Sequence, residues 1–297
     1  MRVFLTGATG FVGSQILREL LGAGHEVIGL TRSIAGARAL TDAGAQPHVG
    51  NLEDLASLRA GAECADAVIH TAFDHDFSKY AASCAQDRHV IEALGVVLAG
   101  SDRPLLITSA AIMGAPDDGG PAVEQLFTVR HHPRSSSELA GEALLEKGVN
   151  LSVVRLPQVH DTVKQGLITP YVALAREKGV AAYVGEGKNR WSAAHVLDVA
   201  RLYRLAVERA EQGARYHAVA EHGVAFHEIA ATVAAGLDLP LISLSPEQAP
   251  LHFGWFAMFA AVDMSASSAW TRVHLGWTPE GPSLIADLER MDYSQED

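Results

Sequence analysis

The chain is poor in cysteine, in basic residues and in long apolar runs. It has 2 cysteines in 297 residues, and 23 Lys and Arg against 35 Asp and Glu give a net charge of −12. So few cysteines in a long chain are typical of a reduced intracellular protein rather than a disulfide framework. The acidic balance disfavours nucleic acid or an anionic membrane as the main partner. No charge-free apolar run reaches about 18 residues, so the sequence predicts no membrane span.

The start of the chain and the spacing of its potential metal ligands indicate the compartment of the protein and whether it binds a metal. MRVFLTGATG enters a strand and a turn at once. This leaves no room for a signal or transit segment, so we expect a cytoplasmic protein. The His, Cys and carboxylate residues show no spacing that is typical of a metal site, so no metal is predicted.

Short apolar runs alternate with helical patterns in the first half of the chain. Strands are predicted at RVFLT (2–6), HEVIGL (25–30), AQPHV (45–49), DAVIHTA (66–72), PLLITS (104–109) and LSVVRL (151–156). Helices are predicted near 11–24, 33–44, 52–62, 77–100 and 134–148. Strands that are apolar throughout and alternate with helices indicate an α/β fold with a Rossmann-like, doubly wound parallel sheet.

After about residue 157 this rhythm loosens. Helices are predicted near 165–178, 195–212, 225–236 and 246–260, and they are separated by the short strands AAYV, ARYHAVA and PLISL. The sequence therefore predicts a nucleotide-binding Rossmann domain over 1–157. It predicts a smaller mixed substrate lobe over 158–297, partly interleaved with the main sheet.

The strongest motif is TGATGFVG, which places Gly7, Gly10 and Gly13 between the first strand and the first helix. In such a loop one glycine allows a tight turn, one lets the backbone approach a pyrophosphate, and one allows close helix–strand packing. The helix N-terminus then faces the phosphates. The motif in this context predicts a bound dinucleotide.

The end of the second strand indicates which dinucleotide. Thr31 and Arg32 stand where an acidic residue would take the ribose 2′-hydroxyl of NAD. Arg32 can instead bind a 2′-phosphate through charge-assisted hydrogen bonds, so the predicted cofactor is NADP(H). Ser33 and Arg38 are expected to add to this pocket. The alternative is that Arg32 is a solvated surface charge.

The segments TGATGFVG, GNLEDL, DAVIHTA, LLITSAAIMG and VVRLPQV together resemble the extended short-chain dehydrogenase/reductase superfamily over nearly the whole chain. The resemblance implies that Asn51 and Leu52 flank the adenine. It also implies that Thr71, Ala72 and Phe73 line the groove under the ribose and nicotinamide. The residues predicted to bind the cofactor are Gly7, Thr9, Gly10, Phe11, Val12, Gly13, Thr31, Arg32, Ser33, Asn51, Leu52, Thr71, Ala72, Phe73, Ser109 and Leu156.

In that superfamily a Ser after the fifth strand binds the reacting oxygen, a Tyr moves the proton, and a Lys four residues later lowers the Tyr pKa. Ser109 in ITSAAIMG matches the Ser by its spacing to Gly114, although a strand-end hydroxyl that caps a loop is an alternative. When RSSSELAGE is aligned on Glu142, Arg134 takes the Tyr position and Glu138 takes the Lys position. The chain therefore resembles an atypical member without the Tyr–Lys pair.

The absence of the Tyr–Lys pair does not depend on how the segment is aligned. No Tyr lies between Tyr80 and Tyr171, and no Lys lies between Lys79 and Lys147. Positioned acid–base catalysis contributes about 10²–10⁴ in rate, whereas cofactor orientation survives its loss. The loss of the pair therefore predicts a slower or differently assisted reductase and does not exclude one.

Arg134 and Glu138 admit two interpretations. Arg134 can stabilise a developing alkoxide, although a guanidinium is a poor proton donor. Glu138 can accept hydrogen bonds from ribose hydroxyls. Alternatively, the two residues form an ordinary i,i+4 ion pair on the helix surface.

Four side chains are candidate proton sources besides water. His75 lies in FDHDF just beyond the fourth strand, where it acts as a proton relay or as a simple helix cap. His131 and His132 lie in VRHHPR and are alternatively solvent-exposed. Tyr171 in GLITPYVALAR supplies a hydroxyl from the second lobe or packs in its core.

These patterns favour an NADP(H)-dependent oxidoreductase that acts on a small, apolar or aromatic carbonyl or alcohol compound. The run HFGWFAMFAAV (252–262) supports an apolar substrate, unless it is a core helix. A second interpretation is an NADP(H)-binding sensor without catalysis, and a third, ranked last, is a nucleotide-sugar epimerase. In similar proteins the helices next to the fourth and fifth strands often form a dimer face, so a homodimer is a further hypothesis.

Overall fold

The fold is a layered arrangement of strands and helices that follows the apolar patterns closely up to residue 156. It is seen in a computed structural model that describes residues 1–128 and 132–294. The strands are β1 Arg2–Thr6, β2 Glu26–Thr31, β3 Gln46–Val49, β4 Ala67–His70, β5 Leu105–Ala110, β6 Leu151–Leu156, β7 Gln158–His160, β8 Ala181–Val184, β9 Arg190–His195, β10 Arg215–His217, β11 Glu221–Ala225 and β12 Leu241–Leu244.

The helices that cover these strands are mostly one to five turns long. They are α1 Phe11–Gly22, α2 Ile34–Asp42, α3 Leu55–Glu63, α4 Tyr80–Leu98, α5 Ser135–Leu145, α6 Ile168–Lys178, α7 Val196–Arg209, α8 Phe226–Leu237, α9 Ala249–Phe253, α10 Ala257–Ala260, α11 Ala269–Leu275 and α12 Leu284–Arg290. Short 3₁₀ turns span Phe77–Lys79, Ala111–Gly114 and Gly254–Phe256. Among the described helices none is long and apolar enough to cross a membrane.

The main sheet has seven strands in the order β10-β6-β5-β4-β1-β2-β3, and all neighbours are parallel. Alternate residues of β1 face opposite layers: Val3 and Leu5 pack with α1, α2 and α7, whereas Phe4 packs with α3 and α4. The doubly wound α/β fold is confirmed. The strand order reverses between β1 and β4, and ligands of such sheets bind there, at the carboxyl ends of the strands.

The chain beyond residue 157 contributes to the main sheet as well as to the second lobe. β10, which lies in the segment ARYHAVA, pairs with β6 at the sheet edge. Helix α7 packs against α1, and its apolar side chains share one core cluster with β1. The two parts of the chain are therefore interleaved, and a domain boundary at residue 157 stays a prediction.

The second lobe has two small sheets, β11-β9-β7 and β12-β8, around an aromatic core. The prediction of one helix over 246–260 is wrong. Gly254 has φ +55° and ends α9, so the chain turns through Gly254–Phe256 before α10 begins. A non-glycine residue would resist this conformation, which is why the break falls there.

Candidate functional site

The glycine loop between β1 and α1 is held close to the end of β4. Gly7 has φ +72°, and a Cβ on it would lie 2.7 Å from Thr71 Oγ1 and 2.9 Å from Ala72 N. A Cβ on Gly13 would overlap the carbonyl oxygen of Gly7. Only glycine fits these two positions. At Gly7 the reason is that residues 71–72 lie directly against the glycine loop.

The N-terminus of α1 is open to a ligand. Gly10 is the N-cap of this 12-residue helix, and no side-chain capping bond is made to it in the described part of the chain. Thr9 and Gly10 are exposed, whereas Phe11 and Val12 are half-buried. Open N–H groups at a helix start bind anions. The residues at this turn therefore fit the pyrophosphate of a dinucleotide.

At the end of β2 the chain presents two cations. Thr31 is buried and its hydroxyl faces the turn at Ser33, while Ser33 Oγ caps α2 by accepting from Gly36 N at 3.0 Å. Arg32 and Arg38 are exposed. Neither has a carboxylate within 4.0 Å in the described part of the chain. An anion placed here would meet unneutralised guanidinium groups.

Asn51, which the resemblance predicts to flank the adenine, builds the turn into α3. Its Oδ1 accepts from Glu53 N at 2.8 Å and Asp54 N at 3.0 Å. Both bonds use the amide oxygen, so the group that Asn51 can still offer is the NH₂, a donor. Leu52 beside it is half-buried, as is Leu156 at the end of β6.

A buried hydrogen-bond chain lies beneath the loop at 71–72. Thr6 Oγ1 accepts from Thr71 N and Ala72 N, both at 3.2 Å, so its own proton points to His70 Nδ1 at 2.7 Å. His70 is thus protonated on Nε2, which donates to Asp87 Oδ1 at 3.0 Å. This chain ties the end of β4 to α4.

Arg134 is the next member of that network. It is 8% exposed, and its Nη1 donates to Asp87 Oδ2 at 2.8 Å and to Ser137 Oγ at 3.1 Å. Its Nη2 donates to Thr108 O at 2.9 Å. Its Cζ lies 4.2 Å from the centre of the Phe73 ring. Asp87, Ser137 and Thr108 thus accept from three of its five N–H donors.

Asp87 receives the charge of this guanidinium. Burial would raise the pKa of Asp87, but the charge of Arg134 outweighs it together with hydrogen bonds from His70 and Ser137. The pKa of the Asp87 carboxyl is lowered to about 2. The group is therefore ionised at neutral pH and fixes the guanidinium at the carboxyl edge of the sheet.

The expected surface pair of Arg134 and Glu138 is wrong, because both side chains are buried and each has other partners. Glu138 accepts from Arg155 Nε at 2.8 Å and Nη2 at 2.7 Å, and from Arg215 Nε at 3.1 Å. Burial would raise the pKa of Glu138, but its hydrogen bonds and charge contacts with Arg155 lower it. With these bonds made, Glu138 is a buried structural carboxylate rather than a free ribose ligand.

Ser109 lies between these two networks. It pairs in register with Arg155 across β5 and β6 and is buried. A hydrogen-bonding contact from the Ser109 hydroxyl lowers the pKa of the Glu138 carboxyl. The hydroxyl oxygen is closed to solvent and has no other described partner. Its role as a ligand for a substrate oxygen stays a prediction.

Tyr171 is not near this site, which corrects its place among the candidate proton donors. It is 1% exposed, donates its proton to Ala182 O at 2.9 Å and packs on Phe226 and Phe256 in the second lobe. Burial raises the pKa of its hydroxyl. Tyr171 is a core residue.

The histidines that the sequence singled out have different places. His75 follows β4, is reached by solvent, and stacks edge-on with Phe73. The surrounding protein and then the charge of Arg134 lower the pKa of His75. His132 is half-buried, and burial and Arg134 lower its pKa as well. His131 lies outside the described residues.

Sequence reasoning missed Asp87 and Arg155. Each is a charged residue in an otherwise apolar pattern: Asp87 lies on the buried face of α4, and Arg155 interrupts the apolar strand β6. Such a charge is buried only when it is paired, which is the signal that would have found both.

A family model described as "NAD dependent epimerase/dehydratase family" matches residues 3–220. The chain belongs to this family. The match confirms the resemblance to the extended short-chain dehydrogenase/reductase superfamily, and the structure has its fold. The protein is accordingly an oxidoreductase of this type, a statement that leaves its substrate open.

Two similar proteins are both named uncharacterized. One, from Schizosaccharomyces pombe, is 44% identical over 290 residues, covering 97% of this chain and 98% of the relative. The other, from Saccharomyces cerevisiae, is 37% identical over 297 residues, covering 99% of each chain. A solved dTDP-glucose 4,6-dehydratase from Streptomyces venezuelae has TM-score 0.78 at 18% identity, covering 98% of this chain and 96% of that one. It supports the fold.

Proposed function

We propose that the protein is an NADP(H)-dependent oxidoreductase that transfers a hydride to or from a small apolar or aromatic carbonyl or alcohol compound. The observation that carries the proposal is Arg32, an exposed guanidinium without a described carboxylate partner at the end of β2. It stands where a cofactor bound along α1 would place its adenosine ribose. Each charge-assisted hydrogen bond to a 2′-phosphate adds about 1.5–3 kcal/mol, or one to two decades in affinity.

The reacting end of the site supports hydride transfer without a Tyr–Lys pair. The nicotinamide, when bound, supplies or takes the hydride. Ser109, at the carboxyl end of β5, orients the substrate oxygen. Arg134 holds developing negative charge through its guanidinium, which Asp87 and Thr108 fix in place. The proton comes from water or from His75, His131 or His132.

The cofactor claim is tested by dissociation constants for NADPH and NADH. We expect wild type to bind NADPH 10- to 100-fold more tightly than NADH, and we expect Arg32→Ala to abolish that preference, by roughly 1.5–3 kcal/mol. Arg290→Ala, an exposed arginine on α12, is the matched control and should bind as wild type does. Equal wild-type affinities would refute the NADP(H) preference.

A second candidate function is a redox sensor that binds NADP(H) without reacting. It is favoured by the internal pairs of Arg134 with Asp87 and of Glu138 with Arg155. Single-turnover absorbance with NADPH and a panel of aldehydes and ketones separates the two. Tight NADPH binding with no oxidation by any acceptor would identify the sensor and exclude the reductase.

A further inference from the structure

A line of aromatic rings joins the end of β4 to the second lobe. This aromatic strip consists of Phe73, His75, Phe77, Tyr80 and Trp255. Phe73 and His75 are 5.3 Å apart at their ring centres, and Phe77 and Tyr80 are 5.5 Å apart. Phe77 stacks on Trp255 at 4.7 Å with 5° between the planes, and Trp255 is 40% exposed. A flat ligand ring would extend this series by stacking.

Phe73, at one end of the strip, packs against Arg134, the cation of the buried network beneath the end of β4. Phe73 lies against the guanidinium of Arg134, whose position Asp87 and Thr108 fix. Because a guanidinium keeps its proton in proteins, Arg134 holds an anion but does not protonate it. The acceptor most suited to this group is one whose reduced form is stable as an anion.

The chemistry of the reduced product separates two kinds of acceptor. An isolated ketone becomes an alkoxide, whose conjugate acid is about as weak an acid as water, so it needs a proton during the transfer. A quinone becomes a hydroquinone monoanion, whose conjugate acid resembles a phenol with a pKa of about 10. The hydroquinone monoanion therefore persists beside the fixed positive charge of Arg134 until solvent protonates it.

We propose that the acceptor is a flat quinone, which lies along the aromatic strip with one carbonyl oxygen beside Arg134. This inference rests on the proposed NADP(H)-dependent hydride transfer. The quinone accepts a hydride, one proton and two electrons, from C4 of NADPH. The resulting monoanion takes one proton from water, so that NADPH, H⁺ and quinone become NADP⁺ and hydroquinone.

The first test compares three two-ring acceptors, menadione, 1-tetralone and 2-decalone, anaerobically with NADPH, after subtraction of the rate without protein. We expect kcat/KM for menadione to exceed that of both ketones at least 100-fold. Comparable rates for a ketone would overturn the quinone assignment while leaving the reductase intact. Oxidation of NADPH by none of the three, despite tight NADPH binding, would overturn the quinone assignment, and the aldehyde and ketone panel above then decides whether the reductase stands.

The second test is the pH dependence of menadione reduction. With solvent as the proton source, kcat/KM should stay within about twofold from pH 6 to pH 8. A fall of tenfold per pH unit across this range would show a titrating acid, and loss of that fall in His75→Gln, His131→Gln or His132→Gln would name it. Such a result would overturn the inference that Arg134 acts on a persistent anion.

The third test addresses the strip itself. Trp255→Leu should raise KM for menadione at least tenfold and leave KM for a small aliphatic aldehyde, and the affinity for NADPH, unchanged. Leu251→Ala is the control, because this residue of α9 is 91% exposed and lies outside the strip. An unchanged menadione KM in Trp255→Leu, with the wild-type thermal midpoint, would show that the strip does not bind the acceptor.

Discussion

At the scale of single residues, the site depends on charges that are buried in pairs. Asp87 and Arg134 bind each other at 2.8 Å beneath the end of β4, and both are nearly inaccessible to water. Removing one partner leaves the other as an uncompensated buried charge. The two positions therefore behave as a unit, unlike the surface pair of Arg88 with Glu92 on α4.

Asp87→Asn is expected to lower the free energy of unfolding by about 3–5 kcal/mol at pH 7, as guanidinium denaturation would measure. Glu92→Gln, the control on the same helix, should cost under about 0.5 kcal/mol. Because the Asp87 pKa falls from 3.8 to about 2 on folding, its stabilisation is complete above about pH 4 and disappears as pH falls towards 2. The gap between wild type and Asp87→Asn should narrow over that window. A difference in unfolding free energy that stays constant with pH would show that Asp87 is not the titrating group.

His217 on β10 makes an opposite kind of contribution, since it is buried as a neutral ring. Its Nδ1 donates to Ser267 O at 2.8 Å and its Nε2 accepts from Arg155 at 3.2 Å. Burial and then the charge of Arg155 lower its pKa from 6.5 to about 4. Between pH 6.5 and about 4, His217 therefore carries a proton in the unfolded chain but stays neutral in the folded one.

The consequence is a loss of stability in mild acid. Above about pH 6.5 His217 does not reduce the free energy of unfolding. As the pH drops to 4, protonation of the unfolded chain at His217 lowers that free energy by up to about 3 kcal/mol. In His217→Gln the unfolding free energy should change less with pH across this interval. Denaturation at pH 7, 6, 5 and 4 measures it, and parallel curves for the two proteins would show that another group is responsible.

At the scale of elements, the break between α9 and α10 places Trp255 where it meets Phe77. Gly254 has φ +55°, and a Cβ added to it would meet no atom within 4 Å, so its constraint is the backbone alone. Buried Phe253 and Phe256 anchor the segment on either side. The aromatic side chain between them is thereby turned towards the end of β4.

Gly254→Ala should therefore cost about 1–2 kcal/mol of stability, because a side chain disfavours this φ. Gly22→Ala is the matched control: it also has open space around it, but it lies in α1 with an ordinary helical backbone. It should raise stability by about 0.5–1 kcal/mol. Thermal midpoints decide the matter, and equal changes of the same sign would refute the backbone explanation.

At the scale of the whole molecule, the interleaving of the two parts of the chain couples the cofactor site to overall stability. Helix α7 packs on α1, the helix that follows the glycine loop, and β10 pairs with β6 at the sheet edge. Asp198 of α7 also accepts from Glu280 N and Gly281 N, which ties the C-terminal segment to the same helix. We expect the chain to unfold in a single transition.

Ligand binding should shift that transition. NADPH at 100 times its dissociation constant adds about 2.7 kcal/mol. At about 2–4 °C per kcal/mol, the thermal midpoint should rise by roughly 5–10 °C. NADH at the same concentration should raise it less if Arg32 binds the 2′-phosphate. Two separate transitions, only one of which responds to NADPH, would show that the halves of the chain unfold independently.

The predictability of the fold differs between the two halves. The strands up to residue 156 are continuously apolar and the helices are amphipathic, so short-range pattern locates β1 to β6 and α1 to α5 within a few residues. In the second lobe the elements are short, and three strands and two helices, β7, β9, β11, α11 and α12, were not indicated. Pairing partners far along the chain stabilise these elements, and local pattern does not report them.

By itself the sequence determined the family, the parallel sheet, the glycine loop and the missing Tyr–Lys pair, because each is written in local spacing or in residue identity. Only the tertiary structure decided what replaces that pair. Arg134 and Glu138 lie four residues apart on one helix, yet one binds Asp87 of α4 and the other binds Arg155 of β6. A buried charge takes the partner that lies nearest in space, and chain folding alone brings those partners together.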